Sequence, residues 1–320
     1  MTYESAAAAS ATGVGRPSRG RRLRASPITH ILAFLGLALL LMGIDLLLVR
    51  AVLAASGGHS HLSEEVTRTL GYACAAAATL LAYVVMVRRA DRRSLLSAGL
   101  TARGLFSETG IGLLIGGGVF SAVMGMMRAV GVYHIAGVNP HFRPLVPLLL
   151  FLFLAVFQEV AVRGYLFQTL ERRWGTGVAL AGSTAFFGLA HLGSSVDGLT
   201  TAQWLVGPAF ISVETGLLLT AAYLLTRRLW LPIGIHWGWN FFETSIYGTA
   251  NTGSWGNDLN TLFSDRFSGP FLLTGGAFGP EASLICLGIG AYAGLLLLRL
   301  AIRKGQWRLA NSTSSGKIDA

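Results

Sequence analysis

Long apolar runs, separated by short polar or basic stretches, set the pattern of this chain. Eight of the runs approach the ~20 residues that a helix needs to cross a hydrocarbon core. They lie at roughly 28–49, 69–87, 109–130, 145–170, 176–194, 204–226, 230–248 and 282–302. The pattern predicts an all-α, polytopic integral membrane helix bundle of about eight transmembrane helices, because only helices and closed barrels satisfy their backbone in lipid. The first run, from Ile28 to Leu48, is too long for the apolar part of a cleaved signal, and it is read as a retained span. The expected organisation is a disordered basic tail over 1–26, a membrane domain over 27–304 and a polar tail over 305–320.

The stretches between the runs supply the orientation. Arg16, Arg19, Arg21, Arg22 and Arg24 precede the first span, and Arg88, Arg89, Arg92, Arg93 and Arg103 fill the second connection. Arg172 and Arg173 fill the fourth, Arg227 and Arg228 the sixth, and Arg299, Arg303, Lys304, Arg308 and Lys317 follow or close the last span. The intervening connections are poor in Lys and Arg. That alternation fits an even number of spans with both termini cytoplasmic. The expected location is the plasma membrane of a bacterium.

Composition agrees. Only 12% of the 320 residues are charged, 52% are hydrophobic, and mean hydropathy is +0.57; soluble domains carry about 25% charged residues. The net charge of +10 belongs to the connections rather than to a nucleic-acid surface, since no basic, aromatic-interleaved domain exists to carry one. The expected partner on these grounds is the lipid bilayer, with no nucleic acid. Cys74 and Cys286 both sit in apolar runs and read as small core residues. Gly112-xxx-Gly116 and Gly290-xxx-Gly294 read as helix-packing positions.

Against this background a few polar residues stand out. The fourth span holds Gln158, Glu159 and Arg163. An ionisable group at membrane depth is expensive and therefore a functional candidate. Glu159 and Arg163 are four residues apart, so they share a helix face and can pair. Read alone, the pair is equally well a clasp that orders helices. The fifth span brings His191, one turn after Phe187, and the seventh brings His236 and Asn240, again four apart, with Glu243 a further turn along. One carboxylate and two imidazoles make a plausible ligand set for Zn²⁺ or another divalent metal, namely Glu159, His191 and His236. A metal-bound or base-activated water could then attack an amide carbonyl. Interhelical hydrogen bonding is the plain alternative for each histidine. At 1.5 Å per residue, Glu159 and His191 fall near mid-membrane while His236 falls only ~8 Å in from the cytoplasmic end of its span, a mismatch in depth. Asp45 and Glu214 are further intramembrane acids with no assigned role. A small-solute transporter would carry an internal repeat with broken helices, and none is evident.

The order Gln158-Glu159-xxx-Arg163-Gly164, Phe187-xxx-His191, His236-xxx-Asn240 resembles the motifs of the CAAX prenyl endopeptidase and bacteriocin-processing (CPBP, or Abi) intramembrane proteases, and Leu273–Ser283 is similar to a segment before the last helix of bacterial members. The likeness covers about 145–300, the protease-like core. It implies an intramembrane endopeptidase, acting on a membrane-anchored or hydrophobic peptide, in which His191 activates water, Glu159 and Arg163 support the site, and His236 with Asn240 stabilises the oxyanion. The motifs leave metalloprotease and glutamate-protease chemistry both open. The chain departs from the pattern at Gln158, which stands where the first glutamate is expected. A neutral amide is no usable base. Either Glu159 takes over, or the chain is a catalytically impaired member acting as a membrane peptide-binding or immunity protein.

Overall fold

Leucine- and alanine-rich runs without interior breakers pair every backbone N–H and C=O within the segment, and the chain folds accordingly. The computed structural model describes residues 26–55, 62–193, 198–251 and 260–310. The expected tails lie outside these residues, apart from Ser26 and 305–310. Helix α1 spans Pro27–Ala55, and α2 spans Glu64–Val85 and widens into a π-helical turn at Met86–Ala90. Helix α3 is Leu105–Ala129, followed by strand β1, Tyr133–Val138. Helix α4, Leu145–Glu159, passes through a wide turn at Val160–Phe167 into α5, Gln168–His191. Then come α6 (Thr201–Thr226), α7 (Trp230–Asn240, ending in a wide turn at Phe241–Ile246), β2 (Phe263–Phe267), α8 (Phe271–Thr274) and α9 (Leu284–Arg303).

Local sequence explains the helix starts. The Ser63 side chain accepts from the Val66 amide at the head of α2, with Glu64 and Glu65 in the first turn. Thr200 and Gln203 form a reciprocal capping box on α6, and Ser283 caps α9 by accepting from Cys286.

The protein is a polytopic, integral membrane helix bundle. Among the described residues six helical stretches are long and apolar enough to cross a membrane, against eight expected. Two causes account for the difference. The stretch Leu145–His191 is 47 residues long but is two rods, broken at Gly175 (φ 81°, ψ 173°), where only glycine adopts that backbone freely. Helix α7 has 11 residues and its wide turn 6, which makes it a short rod enclosed by its neighbours. The structure also adds an antiparallel two-stranded ribbon, β1 on β2, with a bulge between Ile135 and Gly137.

Helices α3 and α7 meet backbone to backbone. A Cβ on Gly112 would stand 2.6 Å from the Leu231 carbonyl oxygen, and one on Gly116 would overlap the Ile235 carbonyl. From the other side, a Cβ on Gly234 or Gly238 would overlap the Thr109 or Leu113 carbonyl. Two small-xxx-small faces thus interlock, which is how membrane helices gain contact without a hydrophobic driving force. Gly290 and Gly294 do the same for α9 against α6 at Glu214 and Leu218.

The two ends of the bundle differ. At one end Asp91 accepts from Arg172 (2.8 Å) and meets His30 Nδ1 (2.9 Å), and Glu171 accepts from Arg227 (2.6 Å). Glu108 accepts from Arg228 Nε (2.8 Å), and the Arg308 amide donates to Thr176 (2.9 Å). The head of α1, the connection after α2, the Gly175 break, the α6–α7 corner and the segment after α9 therefore share one basic end. The ribbon, α8 and the short 3₁₀ turns Gly276–Phe278 and Pro280–Ala282 occupy the other.

Candidate active site

The site is built from helix-borne side chains around Glu159, which sits where α4 passes into its wide turn. Glu159 and Arg163 are both fully buried. Arg163 Nη1 donates to Glu159 Oε1 at 2.9 Å, one helical turn back, and Nη2 donates to the Thr215 carbonyl of α6 at 3.3 Å. The guanidinium carbon lies 5.1 Å from the centre of the Phe187 ring, a cation–π contact strengthened by the absence of water. On the other side of Glu159, His236 Nδ1 lies 2.9 Å from the same Oε1. A carboxylate only accepts, so Nδ1 carries the hydrogen and Nε2 is the ring's working nitrogen.

His191 is fixed by the same logic. Its Nδ1 is 2.7 Å from the Phe187 carbonyl, one turn earlier on α5. A carbonyl cannot donate, so the hydrogen is on Nδ1, and a neutral His191 presents a bare Nε2. Phe187 lies between the two imidazoles, with ring centres 4.6 Å from His191 and 6.1 Å from His236. Asn240 Oδ1 accepts from Asn251 at 3.2 Å, which leaves its NH₂ as the donor end, and Asn251 also donates to Glu243 at 2.6 Å.

These parts surround one cavity of about 700 Å³. Gln158, His191, His236, Asn240, Asn251 and Glu281 line it, together with apolar walls that include Phe157, Phe187 and Trp239. Gln158 faces this space, while its neighbour Glu159 is withdrawn behind His236. The expected mismatch in depth closes. Helix α7 starts inside the bundle, with Leu229 fully buried and its amide donating to Gly99 (3.2 Å), and with Trp230 Nε1 donating to Thr101 (2.6 Å). The connection after α2 covers the head of α7, so counting residues from its first one understates the depth of His236.

The expected ligand trio does not form a metal cage. His191 is bonded to Phe187, and Glu159 to Arg163 and to a protonated Nδ1 of His236. Among the described residues no three His, Cys, Asp or Glu side chains gather as metal ligands. The residues as placed do not fit a three-ligand divalent ion.

Asn251 carried no signal in the sequence, and Glu281 entered only as part of Leu273–Ser283, with no role. Both lie in connections, where polar residues are ordinary. Glu281 is 4% exposed and follows Gly279, whose φ of 103° and closeness to the Ala250 carbonyl admit only glycine. Glu214, also fully buried, accepts from the Cys286 thiol at 3.4 Å.

Residues 140–242 match the family model described as type II CAAX prenyl endopeptidase Rce1-like. The bundle is that of an integral membrane chain, and over this segment the chain is similar to CAAX-type proteases. The matched segment contains Gln158, Glu159, Arg163, Phe187, His191, His236 and Asn240 and stops before α9. Comparison with curated proteins and with solved structures yields no match.

Proposed function

We propose that the chain is an intramembrane endopeptidase that hydrolyses a peptide bond in a membrane-associated substrate, with His191 as the group that activates water. The observation that carries this reading is the single cavity shared by His191, His236 and Asn240, with each ring anchored through Nδ1 so that Nε2 remains for chemistry. His191 Nε2 takes a proton from water as the oxygen bonds to the scissile carbonyl carbon. The carbonyl oxygen becomes an oxyanion. Asn240 offers its NH₂ to it, and His236, turned by Glu159, presents its Nε2 edge beside it. Fixed donors in a water-poor site are worth most where charge develops. The C–N bond then breaks, the proton passes from His191 to the leaving amine, and a carboxylic acid and an amine result, which leave as carboxylate and ammonium once the acid's proton passes to the amine. Glu159 and Arg163 hold His236 and touch no reacting atom.

Gln158 favours a second reading. It lines the cavity where a carboxylate would assist His191, and it is not a base. A catalytically impaired chain that binds a membrane peptide without cutting it retains every contact above. One experiment separates the two readings: cleavage of a membrane-anchored peptide by the purified protein in lipid, beside His191→Ala and Gln158→Glu. The protease reading expects wild-type turnover, and loss in His191→Ala of about 10²–10⁴-fold, the range of a general base. Turnover by Gln158→Glu alone marks the natural chain as a binding protein. Equal turnover by wild type and His191→Ala removes the mechanism.

A further inference from the structure

We infer that Glu243 and Asn251 are positioning residues of the site: in series they fix which end of the Asn240 side chain faces the cavity, so that a hydrogen-bond donor and not an oxygen meets the reacting carbonyl. The inference deepens the protease reading and rests on it for the reaction; the order of the three side chains stands on their hydrogen bonds alone.

The chain folds back on itself to bring the three together. Asn240 ends α7, and Glu243 follows in the wide turn. The Thr249 amide and hydroxyl both donate to the Glu243 carbonyl, at 3.1 and 2.8 Å. The Gly248 amide donates to the Thr244 carbonyl at 3.1 Å, and the Leu262 amide to the Ser245 carbonyl at 2.7 Å. Gly248 has φ 72°, and a Cβ there would overlap the Phe263 carbonyl, so this bend favours glycine. From the segment before α9, Gly279 brings its backbone against the Ala250 carbonyl, where a Cβ would overlap it. Asn251 is thereby set against Asn240, and both are buried together with Glu243.

The polarity follows from donor and acceptor rules. Asn251 Nδ2 donates to Glu243 Oε2 at 2.6 Å and to Asn240 Oδ1 at 3.2 Å, which uses both hydrogens of its NH₂. Glu243 Oε1 has no hydrogen-bond partner among the described residues, so a proton carried there would leave the arrangement unchanged. Turned over, Asn251 would set its own oxygen against Glu243 Oε2, two acceptors face to face in a buried place. The carboxyl group therefore fixes Asn251, and Asn251 fixes Asn240. Oδ1 of Asn240 is held back, and its NH₂ is left for the cavity that it lines. The two ends of an amide are nearly alike in shape, so only such a network decides which one is presented. An oxygen there would repel the developing oxyanion, whereas the NH₂ stabilises it. Glu243 is fully buried and is not among the lining residues, so it acts through the two amides.

The test is a double-variant cycle on cleavage of a membrane-anchored peptide by the purified protein in lipid. It is run in the natural chain, or in Gln158→Glu where that variant alone cleaves. Asn240→Ala is expected to lower kcat by about 10²–10³-fold, the worth of one oxyanion donor. Glu243→Gln and Asn251→Leu should each lower kcat by about tenfold or more within that limit, with KM unchanged. In the Asn240→Ala background neither should cost anything further. Losses that multiply with that of Asn240→Ala overturn the inference, as does a loss confined to KM or no loss at all. A second readout needs no turnover. With asparagine isotopically labelled for NMR, the side-chain NH₂ signal of Asn240 is identified by its absence in Asn240→Ala. It should move in Glu243→Gln, a change that reaches Asn240 through Asn251, and an unmoved signal overturns the inference. A moved signal in a protein that cleaves nothing, with or without Gln158→Glu, sinks the protease reading alone.

Discussion

Complete burial of Glu159 and Arg163 is tolerable only as a pair. Two charges withdrawn from water each carry a penalty of several kcal/mol, offset here by their mutual hydrogen bond, the His236 contact and the Thr215 carbonyl. Removing one partner leaves the other charged and stranded. Arg163→Leu is therefore expected to destabilise the protein by about 3–5 kcal/mol, measured as the unfolding midpoint in detergent, whereas Glu159→Leu with Arg163→Leu costs much less. A double variant as damaged as the single one would show that the pair is not the source of the cost. At Gln158 the expectation runs the other way. A carboxylate there faces the cavity that holds His191, so Gln158→Glu should raise kcat by one to several orders of magnitude, up to the ~10⁴-fold of a general base. The polar side chains of the helices were legible in the sequence because an ionisable group inside an apolar run is conspicuous. Asn251 and Glu281 were not, because they lie in polar connections, and the partner that each imidazole would choose could not be read from spacing.

At the scale of elements, α3 lies backbone to backbone on α7, and this approach positions His236 and Asn240. Overpacking a filled interface costs about 1–3 kcal/mol or more. Gly116→Leu, where even a Cβ would overlap the Ile235 carbonyl, is expected to lower the unfolding midpoint sharply and to reduce turnover with it. Gly118→Ala, on the same helix with nothing within 4 Å of the added carbon, should leave both unchanged. Comparable losses at the two glycines would mean helix propensity, not contact, sets the effect. The helices themselves were legible from the apolar runs. The break at Gly175 was legible too, as the basic connection between the runs at 145–170 and 176–194; the buried start of α7 was not, since it depends on the connection after α2 that packs over it. The β1–β2 ribbon joins residues more than a hundred positions apart, and strands of six and five residues among so many helices leave little periodic signal.

For the whole molecule, the decisive asymmetry is charge. Most Lys and Arg of the connections gather at one end, where they are partly neutralised by Asp91, Glu171 and Glu108. The carboxylates of these pairs are largely buried, so removing one partner strands the other. The arginines also act on insertion, because positive connections resist translocation and acidic residues count for little in that balance. The head of α1 is tied to this end through His30 and Asp91, and the segment after α9 through Arg227 and Gln306 at 3.0 Å. A topology reporter joined to either end of the chain should therefore read the cytoplasm, and both should give the same answer. Neutralising the connections selectively sharpens the test. With Arg88, Arg89, Arg92 and Arg93 replaced by Gln, the bias that fixes the α2–α3 corner falls while the apolar core beneath it is untouched, and a fraction of molecules with that corner translocated is expected, detected as labelling of Arg103→Cys in intact cells by a membrane-impermeant maleimide. If the corner stays wholly protected after this change, orientation is set by the order in which the apolar runs enter the membrane, and the arginines are a consequence of the topology rather than its cause.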